Sequence, residues 1–231
     1  MSTTSLSVLS GMFYDPTTAF ARLKTRSSSW LPLIAITLGT LLVYWWYYQT
    51  VDFSWLMDRT LAAKPDLTPE QRESTRSLMS PNVITRVSLV ATLIITPLSF
   101  AVFAIYYSIV GKVTDTGLRY RDWFAFCVWT AVPRLLLLPL MAFQILTSDG
   151  RVALEDLSMV SFNTLFLHLP SSNPWAGLAS GIDLSVVWSC VLAILGLRVW
   201  TGRSMGTCIV LCLLPLVLIY GVWAAGIVMF G

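Results

Sequence analysis

Charge is what this chain has least of. Only 12% of its 231 residues are Asp, Glu, Lys or Arg, against about 25% in a typical soluble domain. Histidine occurs once, as His168, so neither an HExxH helix nor any other two-histidine metal site can be assembled. Carboxylates are missing from the interior of every long apolar stretch, which removes the usual relays of proton-coupled transport. No basic stripe with interleaved aromatics lies outside those stretches, so a nucleic-acid partner is not expected. The first thirty residues lack a continuous apolar core of the kind a cleavable signal peptide needs, and the first spanning helix is expected to act as the targeting signal. The four cysteines, Cys127, Cys190, Cys208 and Cys212, all fall inside apolar stretches, where they behave as small hydrophobes and no disulfide is expected. Cys208 and Cys212 are one helical turn apart, but no His or carboxylate stands near them. They are read as packing residues, and no metal or other cofactor is expected.

What the chain does have is hydrocarbon. Apolar residues make up 56% of it, its mean hydropathy is +0.72, and they are grouped in blocks of about twenty, the number a helix needs to cross a bilayer. An all-α, polytopic membrane bundle with five transmembrane helices is indicated, not a barrel of alternating strands. The spans are expected at about Trp30 to Thr50, Val87 to Val110, Trp123 to Thr147, Ile182 to Trp200 and Met205 to Phe230. Residues 1–29 form an arm ahead of a transmembrane domain at 30–231, with two longer connections at 51–86 and 148–181. In the arm, Asp15 followed by Pro16 reads as a helix cap with proline at the first helical position. Phe20 and Leu23 give that helix an apolar edge, with Arg22, Lys24 and Arg26 elsewhere, the pattern of a helix lying on a membrane surface. Leu6 to Phe13, ahead of it, reads as a short apolar turn. Thr68 and Pro69 predict a second short helix, ending by about Met79 before Pro81. Ser148-Asp149-Gly150 is a turn signature. Val152 to Leu169 places Leu154, Leu157, Ser161, Leu165 and His168 on one helical side, an interfacial or re-entrant segment.

The charges choose an orientation. With the N-terminus inside, cytoplasmic segments carry Arg22, Lys24, Arg26, Lys112, Arg119, Arg121, Arg198 and Arg203, opposed only by Asp15, Asp115 and Asp122. The outer segments hold Arg59, Lys64, Arg72, Arg76, Arg86 and Arg151, together with nine carboxylates that include Asp52, Asp66, Asp156 and Asp183. Every short loop then obeys the positive-inside rule, and the expected topology is N-in/C-out.

The third span is unlike the others, because it contains Pro133, Arg134 and Pro139. If it starts at Trp123, Arg134 lies about 16 Å in, at 1.5 Å per residue, where an isolated arginine costs about 2.5 to 3.5 kcal/mol on insertion scales. Pro133 withholds an amide from the carbonyl of Trp129, and Pro139 does the same to Leu135, so the segment offers its own acceptors to a guanidinium. Two readings stand: Arg134 snorkels from a short interfacial run ending at Trp129, or a kinked helix forms a site for a lipid headgroup or a partner helix. Asp183, at the start of the fourth span, reads as an N-cap, with a partner or ion contact as the alternative. Trp129, Pro133, Arg134, Asp15, Pro16 and Asp183 are therefore the candidate partner- or lipid-contact residues; no catalytic set is found. Gly177 with Gly181, Gly202 with Gly206 and Gly221 with Ala225 are small-xxx-small pairs, read as packing within the bundle.

The order of these features resembles a known family. Phe13-Tyr14-Asp15-Pro16-Thr17-Thr18-Ala19-Phe20-Ala21-Arg22-Leu23, followed by Trp30-Leu31-Pro32-Leu33, is similar to the amino-terminal signature of bacterial Yip1-domain membrane proteins. Trp129-Thr130-Ala131-Val132-Pro133, then Asp183-Leu184-Ser185-Val186-Val187-Trp188 leading to Leu195-Gly196-Leu197, resembles that family's middle helix and final hairpin. The resemblance implies a five-span domain with a cytoplasmic N-terminus in the bacterial inner membrane. It also implies a non-enzymatic role as subunit, assembly factor or regulator of a larger membrane complex, since some bacterial relatives are similar to accessory subunits of ABC-type export systems. Eukaryotic relatives act in Golgi and endoplasmic-reticulum trafficking with Rab-type GTPases; the arm here is shorter and lacks their acidic region, so the bacterial-type role is preferred to a trafficking scaffold. A transporter of small solutes or lipids, using the kinked third helix, is the other alternative. Expected partners are the lipid bilayer and other membrane proteins, or a second copy of the chain.

Overall fold

The computed structural model describes residues 3–25, 28–62 and 67–230; Arg26, Lys64 and Asp66 of the charge tally lie outside the described residues. Its helices are α1 (Thr3–Tyr14), α2 (Pro16–Thr25), α3 (Trp30–Thr50), α4 (Phe53–Ala62), α5 (Pro69–Leu78), α6 (Pro81–Val113) and α7 (Tyr120–Thr130). After a 3-10 segment (Val132–Leu136) come α8 (Leu137–Thr147), α9 (Ala176–Ser180), α10 (Leu184–Thr201) and α11 (Met205–Phe230). Five stretches among the described residues are long and apolar enough to cross a membrane: α3, α6, Tyr120–Thr147, α10 and α11. The fold is thus the expected all-α one with five candidate spans, and the first and last agree with expectation to the residue.

Prolines and caps explain most of the starts. Pro16, Pro69 and Pro81 each open a helix, the position where a missing N–H costs nothing and a fixed φ helps. Asp15 accepts from the Thr18 amide at 3.2 Å. Thr68 and Gln71 form a reciprocal capping box, the Gln71 amide donating to Thr68 Oγ1 at 3.3 Å and the Thr68 amide to Gln71 Oε1 at 2.9 Å. Gly202, at φ +67°, ends α10 by donating to the Arg198 carbonyl at 2.9 Å, a left-handed C-terminal cap.

Three segments depart from the sequence reading. Residues 6–13 are part of a full helix, α1, because Val8 and Met12 lie one turn apart and are both buried. The second span begins six residues earlier than expected, at Pro81, since Asn82, Thr85 and Arg86 end the hydropathy but not the helix. Residues 152–169 are not an amphipathic helix: they hold a 3-10 turn (Leu154–Asp156) and a single π turn (Asn163–Leu167). Asn163 replaces the missing helical bonds, its amide donating to the Leu169 carbonyl at 3.2 Å and its Oδ1 accepting from the Leu169 amide at 2.9 Å. Such local side-chain bonds compete with helix.

The chain divides into two compact units. The first gathers Met1–Thr37, Ile95–Leu135 and Ser185–Trp223; the second gathers Leu38–Ile94, Leu136–Leu184 and Ala224–Gly231. The core of the first is aromatic: Phe20, Phe126, Trp123 and Trp200 are all buried to 1% exposure or less. Within it, Phe126 lies 5.1 Å from Trp200 and 5.0 Å from Tyr107 between ring centroids. The second unit has a smaller apolar cluster around Tyr47 and Leu157 and several polar ties. Tyr47 Oη donates to the Val152 carbonyl at 3.0 Å, Arg59 pairs with Asp156 at 2.6 Å, and Arg76 pairs with Asp58. The Ser148-Asp149-Gly150 turn is also there, with Asp149 and Gly150 both at positive φ. Gly150 accepts from the Asp52 amide at 2.8 Å, and a Cβ on it would stand 2.7 Å from the Thr50 carbonyl oxygen, so only glycine fits.

Candidate functional site

The anomalies of the third span are resolved locally in the first unit. α7 stops at Thr130, and the backbone tightens into the 3-10 segment, where Arg134 donates its amide to the Ala131 carbonyl at 3.0 Å. This is how the chain accommodates Pro133, whose ring cannot continue an α-helical ladder. Pro139 lies in the first turn of α8, where proline is tolerated. Val132 and Pro133 are buried, whereas Arg134 is exposed. Among the described residues the guanidinium meets no carboxylate and no hydrogen-bond acceptor. The carbonyls expected to receive it are not taken, because the 3-10 turn folds them back on the helix while the side chain projects outward.

Arg134 lines a cleft of about 110 Å³ within the first unit. α6 contributes Phe100, Phe103 and Tyr107 to its walls, α7 contributes Cys127 and Thr130, and α10 contributes Ser189 and Cys190. No acidic residue lines it. Thr130 Oγ1 is turned onto the Cys127 carbonyl at 2.8 Å. Ser189 Oγ is buried and has no hydrogen-bond partner, the kind of orphaned hydroxyl that costs free energy until something accepts from it. The site therefore pairs an unmatched cation with an unmatched hydroxyl on an otherwise apolar surface. Such a site can hold an anionic group.

The depth of Arg134 follows from its neighbours. Trp129 Nε1 donates to the Ser28 carbonyl at 2.7 Å, so Trp129 is level with the residue two places ahead of α3. At 1.5 to 2.0 Å per residue, Arg134 lies about 8 to 10 Å beyond that level.

The arm is tied to the same unit. Trp200 Nε1 donates to the Phe20 carbonyl at 2.9 Å, and Lys24 Nζ donates to the Trp200 carbonyl at 2.8 Å, a cation at the C-terminal end of α10. Phe20 and Leu23 are 0% and 3% exposed, so the edge expected to lie on lipid is spent on protein. Asp15 is exposed, and hydrogen bonds from Thr18 hold its carboxyl below the usual carboxylate range.

Of the six candidate contact residues, Trp129, Pro133 and Arg134 share one break in the third span. Asp15 and Pro16 are explained by the start of α2. Asp183 immediately precedes α10, and its backbone bridges to Ser161 in the second unit. Ser189 and Tyr107 escaped the sequence reading, because neither charge nor spacing separates them from ordinary span residues. All four cysteines are free thiols. The glycines divide: a Cβ on Gly196, which is outside the small-residue pairs, would meet Phe20 and Phe126 at 2.8 Å, but Gly206 and Gly221 of the pairs, and Gly226, have nothing within 4 Å. The expected use of Gly206 and Gly221 in packing within the bundle is not realised.

The Yip1 domain family model matches residues 10–226. No curated protein matches the chain, and no solved structure does.

Proposed function

The chain belongs to the Yip1 domain family, and on that premise we propose that it is a non-enzymatic subunit, assembly factor or regulator of a larger membrane complex. Its place is the bacterial inner membrane, and a complex with an ABC-type export system fits the reading. The observation that carries it is the surface of α11. Only 11% of that helix's apolar window is buried, against 50% for Tyr120–Thr147, and Gly206, Gly221 and Gly226 stand open along it. Glycine within a span weakens a helix and leaves its backbone bare. It repays that cost where another helix comes close, since tight backbone approach is what drives association in lipid. A helix meant only for lipid would have no use for three such positions.

The test is in situ cross-linking. A photoreactive residue at Gly221 should give discrete adducts of higher mass in the native membrane, identified by mass spectrometry, and the same residue at Val102 of α6 should give mainly lipid adducts. Uniform lipid labelling from both positions, with the chain recovered alone in gentle detergent, would overturn the proposal.

A further inference from the structure

Arg134 lies inside a span and is exposed, and its guanidinium has no hydrogen bond or ion pair among the described residues. A cation so placed is tolerated when an anion meets it. The protein provides none here: the cleft at Arg134 has no acidic lining residue. The cleft also holds the buried, unpartnered hydroxyl of Ser189, a second donor with nothing to donate to. Around these two groups the walls are apolar, with Phe100, Phe103 and Leu216 among them. An anionic head with a hydrocarbon tail satisfies all of these surfaces together.

We propose that this cleft binds an anionic phospholipid of the leaflet that meets the Ser28 end of the first unit. Arg134 clamps the lipid phosphate through two parallel N–H donors, the geometry in which guanidinium excels. The Ser189 hydroxyl donates a further hydrogen bond, and an acyl chain lies against Phe100 and Leu216. The depth agrees, because Arg134 is about 8 to 10 Å beyond the Ser28 level, a distance that a snorkelling arginine and a drawn-in phosphate cover between them. A partner helix bearing a carboxylate fits less well, since a helix is about 10 Å across and the cleft measures about 110 Å³.

The experiment is native mass spectrometry of the full chain in neutral detergent, titrated with phosphatidylglycerol or with diacylglycerol of the same acyl chains, which lacks the phosphate. The wild type should retain one phosphatidylglycerol about tenfold more tightly than diacylglycerol, the scale of one charge-assisted hydrogen bond. Arg134→Gln should abolish that preference, Arg134→Lys should keep part of it, and Ser189→Ala should weaken it severalfold. Lys112→Gln, at the end of α6 and outside the cleft, should leave it unchanged. An Arg134→Gln chain that retains the full preference overturns the proposal, and so does a Lys112→Gln chain that loses as much. If Arg134→Gln does not fold, judged by its tryptophan fluorescence melt, the graded losses of Arg134→Lys and Ser189→Ala decide, and unchanged preference in both overturns it. The inference is independent of the complex-subunit reading: lipid preference in a chain that finds no partner sinks that reading and leaves this one.

Discussion

At Gly196 the room for one methyl group decides the packing of the first unit. Alanine favours a helix interior over glycine by about 0.8 to 1.0 kcal/mol, so an unhindered Gly→Ala change in α10 would stabilise it. Here the added Cβ would stand 2.8 Å from both Phe126 and Phe20, which are 0% exposed and cannot withdraw. Overpacking of a filled core costs about 1 to 3 kcal/mol. Gly196→Ala is therefore expected to lower the melting temperature in detergent. Gly206→Ala, with nothing within 4 Å, should leave it unchanged or raise it slightly. Equal melting of the two variants would show that the aromatic core has slack at this point.

At the scale of the element, α2 depends on a carboxylate. Side-chain and backbone hydrogen bonds from Thr18 lower the pKa of Asp15, so the folded state holds this proton less readily than the unfolded chain does. The stabilisation is present above the ordinary carboxylate pKa and is lost as the pH falls through the lower, folded value. Acidification should accordingly lower the protection factors of the Thr18 and Ala19 amides, measured against their intrinsic exchange rates at each pH. Asp15→Asn caps nearly as well without a titrating group, and it should show protection independent of pH over the same range; parallel pH curves for the two chains would refute the cap. The third span shows the complementary case. Pro133 marks a break that is plain from the sequence, but the form of the break, a 3-10 turn that buries Pro133 and turns Arg134 outward, is set by what packs against α7.

For the whole molecule the open matter is orientation, and the charges decide the expectation. Lys112 in the last turn of α6, Arg119 in the connection and Arg121 in the first turn of α7 cluster at one end, as do Arg198 in the last turn of α10 and Arg203 in the link to α11. The positive-inside rule puts these connections and the N-terminus in the cytoplasm and the C-terminus outside. A C-terminal alkaline phosphatase fusion should be active, and a C-terminal green fluorescent protein fusion should be dark; the opposite pair of results would reverse the topology.

Much of this architecture was legible because the physics behind it is local. Twenty apolar residues in a row must leave water, and within lipid a backbone must close its own hydrogen bonds, so α3 and α11 could be placed to the residue from hydropathy alone. The starts of α2 and α5 were equally plain, because Asp15-Pro16 and Thr68-Pro69 act on the next four residues and nothing farther. Residues 152–169 misled for the opposite reason: their helical pattern was outweighed by the side chain of Asn163, which closes on Leu169. The apolar edge of α2 was visible, but what it covers was not, since Trp200 lies 180 residues from Phe20. Arg134 was singled out by composition, as a charge in a span. That Ser189 shares its cleft, and that Gly221 stands open where Gly196 is filled, depended on which helix faces meet. The sequence by itself determined the class, the spans and the caps, which follow from solvation and from short-range hydrogen bonding. Only the tertiary structure decided which polar groups are left without partners, because that depends on side chains brought together from distant parts of the chain.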